Sequence, residues 1–97
     1  MEDIKLNLNE KGHGAFYIFE SEQLAEMVIS IADSKLTVYH TEVATKAEGK
    51  GLAKKLIEHM VTYAREHHLR VMPLCTFVHA QFKRHPDLYA DVWEKSF

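Results

Sequence analysis

A change of hydrophobic period at a pair of glycines, Gly49 and Gly51, is the feature that most constrains how this chain can fold. Before the glycines, short β-rich runs alternate apolar with polar residues, which is the two-residue period of a strand with one buried face. After them, apolar residues recur every four positions, as along one face of a helix. These residues are Leu52, Leu56, Met60 and Ala64. The sequence therefore predicts a sheet in the first half and a helix that begins at the glycines.

The first half is expected to form an antiparallel meander of about four strands. Residues 24–32 could also be helical, but Val28, Ile29 and Ile31 are β-branched and favour a strand. Asp33-Ser34 lies between two such runs, as a tight hairpin loop would. The predicted strands span residues 4–8, 14–20, 24–32 and 36–43.

The second half is expected to add one βαβ unit and a short helical C-terminus. The long helix should run from Gly51 to about His67, and the apolar run 69–74 should be a strand. A strand reached through one helix most often lies parallel to the strand before it, by a right-handed crossover. Two short helices are predicted at 76–84 and 86–93, the second with Pro86 at its first position. The fold class is therefore α+β.

Length and charge restrict the function. We expect residues 1–97 to form a single domain, because 97 residues suit one hydrophobic core. A net charge of −2 offers no excess of cations for binding nucleic acid. No apolar run approaches the roughly 20 residues of a membrane span, and the N-terminus lacks a signal-peptide pattern. We therefore expect a cytoplasmic protein without membrane or nucleic-acid partners; its oligomeric state is left open, with a monomer favoured.

The turn at the two glycines is a candidate anion site. Backbone N–H groups at the start of a helix are unpaired, and the helix dipole adds positive charge there. Glycines let a phosphate approach the main chain closely, and lysines are nearby at positions 46, 50, 54 and 55. The spacing matches neither a P-loop nor the three-glycine dinucleotide fingerprint. If the two glycines are considered alone, the alternative is that they only set the backbone conformation of a loop and bind no ligand.

Four stretches of this region resemble a known family. They are HTEV at 40–43, GKGLAKKL at 49–56, MPLC at 72–75 and the tail RHPDLYADV at 84–92. Together they look like the small single-domain branch of the GNAT acetyltransferase superfamily. The coenzyme motif of that superfamily reads Gln/Arg-x-x-Gly-x-Gly/Ala, and the corresponding residues here run from Lys46 to Gly51. Lys46 departs from the motif at its first position.

The resemblance implies an acyl-coenzyme A N-acyltransferase fold and binding of acetyl-coenzyme A. Its pyrophosphate would lie on the backbone of the glycine turn, and its pantetheine arm in a gap between the strands at 36–43 and 69–74. The arm would pair with main chain near Thr41 and Val43, and Pro73 suits such a gap because it cannot donate a ladder hydrogen bond. The residues implied for the pyrophosphate are Lys46, Ala47, Glu48, Gly49, Lys50, Gly51, Leu52 and Ala53.

Cys75 and His40 are the candidate catalytic residues. Cys75 follows the last strand and opens a helix, where the dipole favours a thiolate; by itself a lone cysteine is more often core filler, and the resemblance is what places it beside the acetyl group. His40 and Glu42 should project to one face of their strand, and either could be a general base. His79, four residues after Cys75, could pair with the thiol. The histidines lack the pattern of a metal site, so no metal is expected.

The predicted function is transfer of an acetyl group from acetyl-coenzyme A to an unidentified amine, with Cys75 in the acetyl pocket. The chain has no extra helices between its second and third predicted strands, so the acceptor side should be open. An open site would suit a protein or a polyamine as acceptor. Two alternatives remain at this stage: a non-catalytic module that binds coenzyme A or its acetyl form, and a protein-interaction domain.

Overall fold

Five strands lie side by side in the same order as in the sequence. The computed structural model describes residues 3–94. The strands are β1 (Ile4–Leu8), β2 (His13–Glu20), β3 (Glu22–Ala32), β4 (Lys35–Val43) and β5 (Arg70–Pro73). A short 3₁₀ turn (Thr45–Ala47) precedes α1 (Leu52–Glu66), and α2 (Thr76–Arg84) and α3 (Pro86–Tyr89) follow β5. The predicted α+β fold, with its meander and its single crossover, is confirmed.

The hairpin between β3 and β4 turns through two residues. Asp33 and Ser34 have φ angles of 53° and 64°, and they connect the paired residues Ala32 and Lys35. Two successive residues with positive φ give a tight turn whose twist matches that of antiparallel strands. The strand prediction for residues 24–32 is therefore correct, and the observed strand begins two residues earlier.

β5 pairs in parallel with β4, which confirms the crossover through α1. The pairing runs from Lys35 opposite Arg70 to Val38 opposite Pro73. Because β5 has only four residues, β4 continues for residues 39–43 beyond the end of its partner. This mismatch in length shapes the candidate site.

One face of the sheet carries the core. The apolar stripe of α1 is buried against inward-facing sheet residues, which include Phe16, Met27 and Ile29. Fully burying side chains of this size contributes roughly 1.5–3 kcal/mol each before the entropy cost of ordering them. The stripe consists of Leu52, Leu56, Ile57, Met60, Val61 and Ala64. Within residues 3–94, no helix has the length and apolar character that a membrane crossing requires.

The last predicted helix, 86–93, is shorter than expected. α3 ends at Tyr89, and Trp93 forms a parallel β-bridge with Val71. The Val71 amide donates to the Val92 carbonyl at 2.7 Å. The prediction failed because this end of the chain pairs with the edge of β5 instead, where the Glu94 amide also donates to the Val71 carbonyl at 2.9 Å.

Candidate active site

The turn before α1 has an unusual backbone at both glycines. Gly49 and Gly51 have φ angles of 86° and 71°, in the left-handed region that other residues rarely adopt. A β-carbon placed on either one would meet no other atom within 4 Å. The glycines are therefore required by their backbone conformation and not by close packing against other atoms of the protein. The space beside the turn is empty.

The amides of this turn are unpaired. Among the described residues, no carbonyl or side chain accepts a hydrogen bond from the N–H groups of residues 49–54. The first bond of the helix is donated by the Lys55 amide to the Gly51 carbonyl, at 3.1 Å. Because the amides lie at the positive end of the α1 dipole, this backbone is suited to bind an anion.

A groove opens from these amides between α1 and α2, with a volume of about 330 Å³. Its α2 wall is formed by Phe77 and Gln81, which the sequence reasoning did not single out. Their spacing of four residues on a predicted helix was the available signal, since it places both on one face. The groove is lined by Val43, Ala47, Glu48, Gly49, Gly51, Leu52, Ala53, Lys54, Phe77 and Gln81.

Lys46, at the first position of the glycine motif, does not point into this groove in the structure. Its ammonium forms an ion pair with the carboxylate of Glu22, at the start of β3. Both side chains are more than half exposed, so the pair is weak. Lys54 lines the groove instead and supplies a cation there.

β4 separates from β5 beyond Val38. The last link between them is the Cys75 amide, which donates to the Val38 carbonyl at 2.8 Å. Past this bond, the main chain of residues 39–43 has no strand beside it on that edge among the described residues. A gap therefore leads along β4 from Cys75 to Val43, where it meets the groove.

A β-bulge at Tyr39 decides which side chains face this gap. Ile29 of β3 lies opposite Val38, and its neighbour Val28 lies opposite His40, so Tyr39 is an extra residue in β4. The Tyr39 hydroxyl is hydrogen-bonded to Ser30 Oγ at 2.7 Å. The extra residue reverses the alternation of side chains for the remainder of the strand.

As a result, Thr41 lies on the helix side of the sheet, opposite buried Met27. Thr41 Oγ1 is 3.5 Å from Cys75 Sγ. Cys75 is buried at the N-terminus of α2, with 6% of its surface exposed. The ring of His79 packs edge-on against Trp93. The thiol thus has the Thr41 hydroxyl as its neighbour, within hydrogen-bonding distance for sulfur.

His40 and Glu42 project to the other face of the sheet. His40 Nε2 is 3.0 Å from Glu42 Oε1, and the two side chains are 58% and 66% exposed. The expectation that they share a face is met. Because side chains alternate along a strand, this pair and the Thr41–Cys75 pair lie on opposite sides of β4.

Arg65 ties the tail after α2 to α1, and Arg70 ties it to β5 by donating to the Asp91 and Trp93 carbonyls. Arg65 on α1 donates to both carboxylate oxygens of Asp91, at 2.7 and 3.1 Å, and to the Leu88 carbonyl at 2.6 Å. The hydrogen bond from Arg65 lowers the pKa of Asp91. Burial raises the pKa of Tyr89, which stacks on Phe82 of α2. These contacts hold α2 in place as a wall of the groove.

The comparisons with known proteins agree with this geometry. The family model described as GCN5-related N-acetyl-transferase matches residues 15–92. The chain belongs to the GNAT superfamily. A solution structure of a GCN5-like protein from Staphylococcus aureus, to which N-acetyltransferase activity is attributed by inference, is 30% identical to this GNAT domain. The alignment covers 97% of this chain and 91% of that one, with a TM-score of 0.69. No curated protein sequence matches the chain significantly.

The fold of this GNAT domain groups most of the sequence-predicted site residues in two places. Val43 and most of the residues expected to bind the pyrophosphate line the groove. Thr41 and Cys75 lie beside the gap. His40 lies on the far face, and Lys46 turns to Glu22. Residues 3–94 contain no group of three or more His, Cys, Asp or Glu side chains able to hold a metal ion.

Proposed function

We propose that this GNAT domain binds acetyl-coenzyme A and transfers the acetyl group to an amine. The observation that carries the proposal is the set of unpaired amides at residues 49–54, which open onto the groove between α1 and α2. A diphosphate requires several donors and positive charge in one place, and this turn has both. Family membership supports acyl transfer as the chemistry.

The residues present fit the coenzyme. The amides of the turn would hold the pyrophosphate, the empty space beside Gly49 and Gly51 would admit it, and Lys54 would add a cation. The main chain of Thr41 and Val43, which has no β5 partner, would pair with the amides of the pantetheine arm as a strand would. When bound, the coenzyme supplies an acetyl thioester.

The acetyl group would react at the end of the gap that lies next to Cys75. Thr41 and Cys75 would line it from the helix side, and the acceptor amine would enter from the open face. An amine attacks only in its neutral form, so a base must take its proton. His40 is suited to that role because Glu42, 3.0 Å away, is placed to orient the imidazole.

Binding is tested by titrating the protein with coenzyme A and following amide chemical shifts. We expect the largest changes at residues 47–53. Gly49→Val fills the space beside the turn, and we expect it to weaken binding by about tenfold or more, as the loss of several backbone contacts to phosphate would.

The matched control is Ser34→Val. Ser34 also has positive φ, at 64°, but it lies at the opposite end of β4, roughly 25 Å away. Both variants place a β-branched residue at a positive φ, but only Gly49→Val does so beside the groove, so only this variant should affect the coenzyme. Coenzyme A that leaves residues 47–53 unshifted, or that binds both variants alike, would exclude the site.

Transfer is tested separately by mass spectrometry of candidate amines incubated with acetyl-coenzyme A. We expect His40→Gln to lower turnover while coenzyme affinity stays within about twofold, because the side chain faces away from the groove. Equal turnover in the variant and the parent protein would remove His40 from the mechanism.

One observation favours a second candidate, a module that binds coenzyme A without turnover. The His40–Glu42 pair is more than half exposed, whereas general bases are commonly enclosed. Such a module would bind coenzyme A and acetyl-coenzyme A with equal affinity. Absence of acetylated product from every amine tested, together with equal affinities, would support it.

A further inference from the structure

The two edges of the sheet differ in what lies beside them. On the β5 edge the tail of the chain pairs with the strand, since the Val71 amide donates to the Val92 carbonyl and the Glu94 amide donates to the Val71 carbonyl. On the other edge, β1 pairs with β2 alone, and no further segment of residues 3–94 lies along it. Native proteins commonly protect such an edge with proline, a β-bulge or several charges. β1 has no proline, its pairing with β2 has no bulge, and its one charged residue is Lys5.

The ladder between β1 and β2 determines which backbone groups of β1 point outward. The Asn9 amide donates to the His13 carbonyl at 2.8 Å, and this pair continues the register of the two strands. Because hydrogen-bonded pairs alternate with non-bonded pairs in an antiparallel ladder, Asn7 and Lys5 bond to β2 as well. The Asn7 carbonyl lies so close to Gly14 of β2 that a β-carbon there would collide with it. The outward amides and carbonyls, which have no partner among the described residues, are therefore those of Ile4, Leu6 and Leu8.

The same three residues carry the apolar side chains of β1. They lie on the helix side of the sheet, because Ile4 and Leu6 are opposite the buried residues Ile18 and Phe16. α1 packs mainly over β2 to β5, so the side chains of Ile4, Leu6 and Leu8 remain half-buried at the margin of the core. A strand added along this edge would gain backbone hydrogen bonds and apolar contacts from one row of residues.

β1 is complementary to a second copy of itself in one register. When two copies run antiparallel with Leu6 opposite Leu6, Ile4 of each lies opposite Leu8 of the other, and every outward amide and carbonyl finds a partner. Lys5 then lies opposite Asn7 of the second copy, so no like charges are directly opposed. A pairing centred on Lys5 would oppose two ammonium groups, and one centred on Asn7 would place Ile4 beside the turn, where it has no partner strand. A net charge of −2 per chain adds little repulsion between copies.

We propose that the protein forms a homodimer by antiparallel pairing of its β1 edges, which joins the two five-stranded sheets into one. The two-fold axis passes through the Leu6 pair, perpendicular to the sheet, so the same surface serves both copies. The sequence alone favoured a monomer. β4 lies roughly 14 Å from β1, at about 4.8 Å per strand, so the dimer leaves both candidate coenzyme grooves open. The dimer does not depend on the proposed function.

Association and its location are measured together. Five residues a side make a small interface, so we expect a weak dimer with a Kd of roughly 100 µM. Sedimentation equilibrium between about 10 µM and 1 mM should show the mass rising from that of one chain toward that of two. Over the same range, hydrogen-exchange protection should rise at the amides of Ile4, Leu6 and Leu8, whereas the amides of Lys5 and Asn7 should be protected throughout. A protein that stays monomeric at about 1 mM, or protection that rises in another segment instead, overturns the proposal.

Charge substitutions at Asn7 test the register, because this side chain is exposed and lies opposite Lys5 of the second copy in the pairing centred on Leu6. We expect Asn7→Lys to weaken the dimer about fivefold, since it opposes like charges at two symmetric positions, and Asn7→Glu to strengthen it about fivefold. Lys5→Glu combined with Asn7→Lys restores opposite charges and should recover at least the parent affinity. Gln23→Lys and Gln23→Glu make the same charge changes at an exposed position of β3 and should alter the affinity by less than about twofold. Equal effects at positions 7 and 23 overturn the pairing.

Coenzyme binding is a separate readout. Coenzyme A should shift residues 47–53 equally in the parent protein and in Asn7→Lys, because β1 takes no part in the groove. A dimer with the expected charge dependence that fails to bind coenzyme A establishes the β1 pairing and refutes the proposed function alone. A protein that binds coenzyme A and stays monomeric refutes the dimer alone.

Discussion

Thr41 Oγ1 lies 3.5 Å from Cys75 Sγ, and this contact joins the splayed end of β4 to the start of α2. It places the only cysteine of the chain beside the gap proposed for the acetyl group. The two residues are far apart in sequence, so the contact exists only because the bulge at Tyr39 turns Thr41 toward the helix side.

We expect Thr41→Val to slow alkylation of Cys75 by iodoacetamide about threefold, because a hydroxyl donor stabilises a thiolate and valine has the same shape without the donor. Thr41→Ser keeps the hydroxyl and should retain the parent rate. The rates are measured by mass spectrometry at fixed pH. An unchanged rate in Thr41→Val would mean that the contact has no influence on the thiol.

Glu22→Gln should strengthen coenzyme A binding by about two- to threefold at low salt, because it releases the Lys46 ammonium from its ion pair near the turn. The gain should disappear at high salt. Glu20→Gln removes an equivalent exposed charge from the end of β2 and serves as the control. Titration of the three proteins at two salt concentrations checks this, and an equal gain in both variants would exclude a specific release of Lys46.

Tyr39→Phe should lower the free energy of unfolding by about 1 kcal/mol, because the buried hydroxyl of Ser30 loses its partner. We expect its amide shifts to change along residues 40–43, where the bulge sets the orientation of each side chain. Tyr17→Phe, on the same face of β2, is the matched control. Denaturant unfolding and amide spectra measure both effects, and changes scattered over the whole sheet would argue against a local role in holding the bulge.

The Arg65–Asp91 contact should make stability depend on pH in the acid range. The pKa of Asp91 is lowered by its hydrogen bond from Arg65, so the contribution is present above the ordinary carboxyl value of 3.8 and is lost as the pH falls through the lower folded value. Asp91→Asn should destabilise the protein at pH 7 by roughly 0.2–1 kcal/mol, the range for exposed pairs. Urea unfolding of both proteins between pH 7 and pH 2.5 should show the difference shrinking with acid; a constant difference would contradict the linkage.

Much of the fold follows from the sequence because its signals are local. The four-residue apolar repeat after Gly51 and the β-branched runs before Gly49 determine which segments are helix and strand. The Asp33-Ser34 loop fixes the hairpin, and a strand after one crossover helix fixes the parallel pairing. The conformation of the glycine turn was also predictable from the sequence, since a positive φ favours glycine and the first amides of a helix lack partners within the helix.

The tertiary structure decided the orientation of the site. Regular alternation of side chains would keep His40 on the same face of the sheet as Leu36 and Val38. The register with β3 instead makes Tyr39 a bulge, so that His40 and Cys75 lie on opposite sides of the sheet. The tertiary structure also decided where α3 ends, because Trp93 pairs with Val71 rather than continuing the helix. It likewise decided the position of the Lys46 side chain, which forms an ion pair with Glu22 at the start of β3. Such outcomes depend on contacts between segments that are distant in the chain. The energies of those contacts cannot be read from the residues of one segment alone.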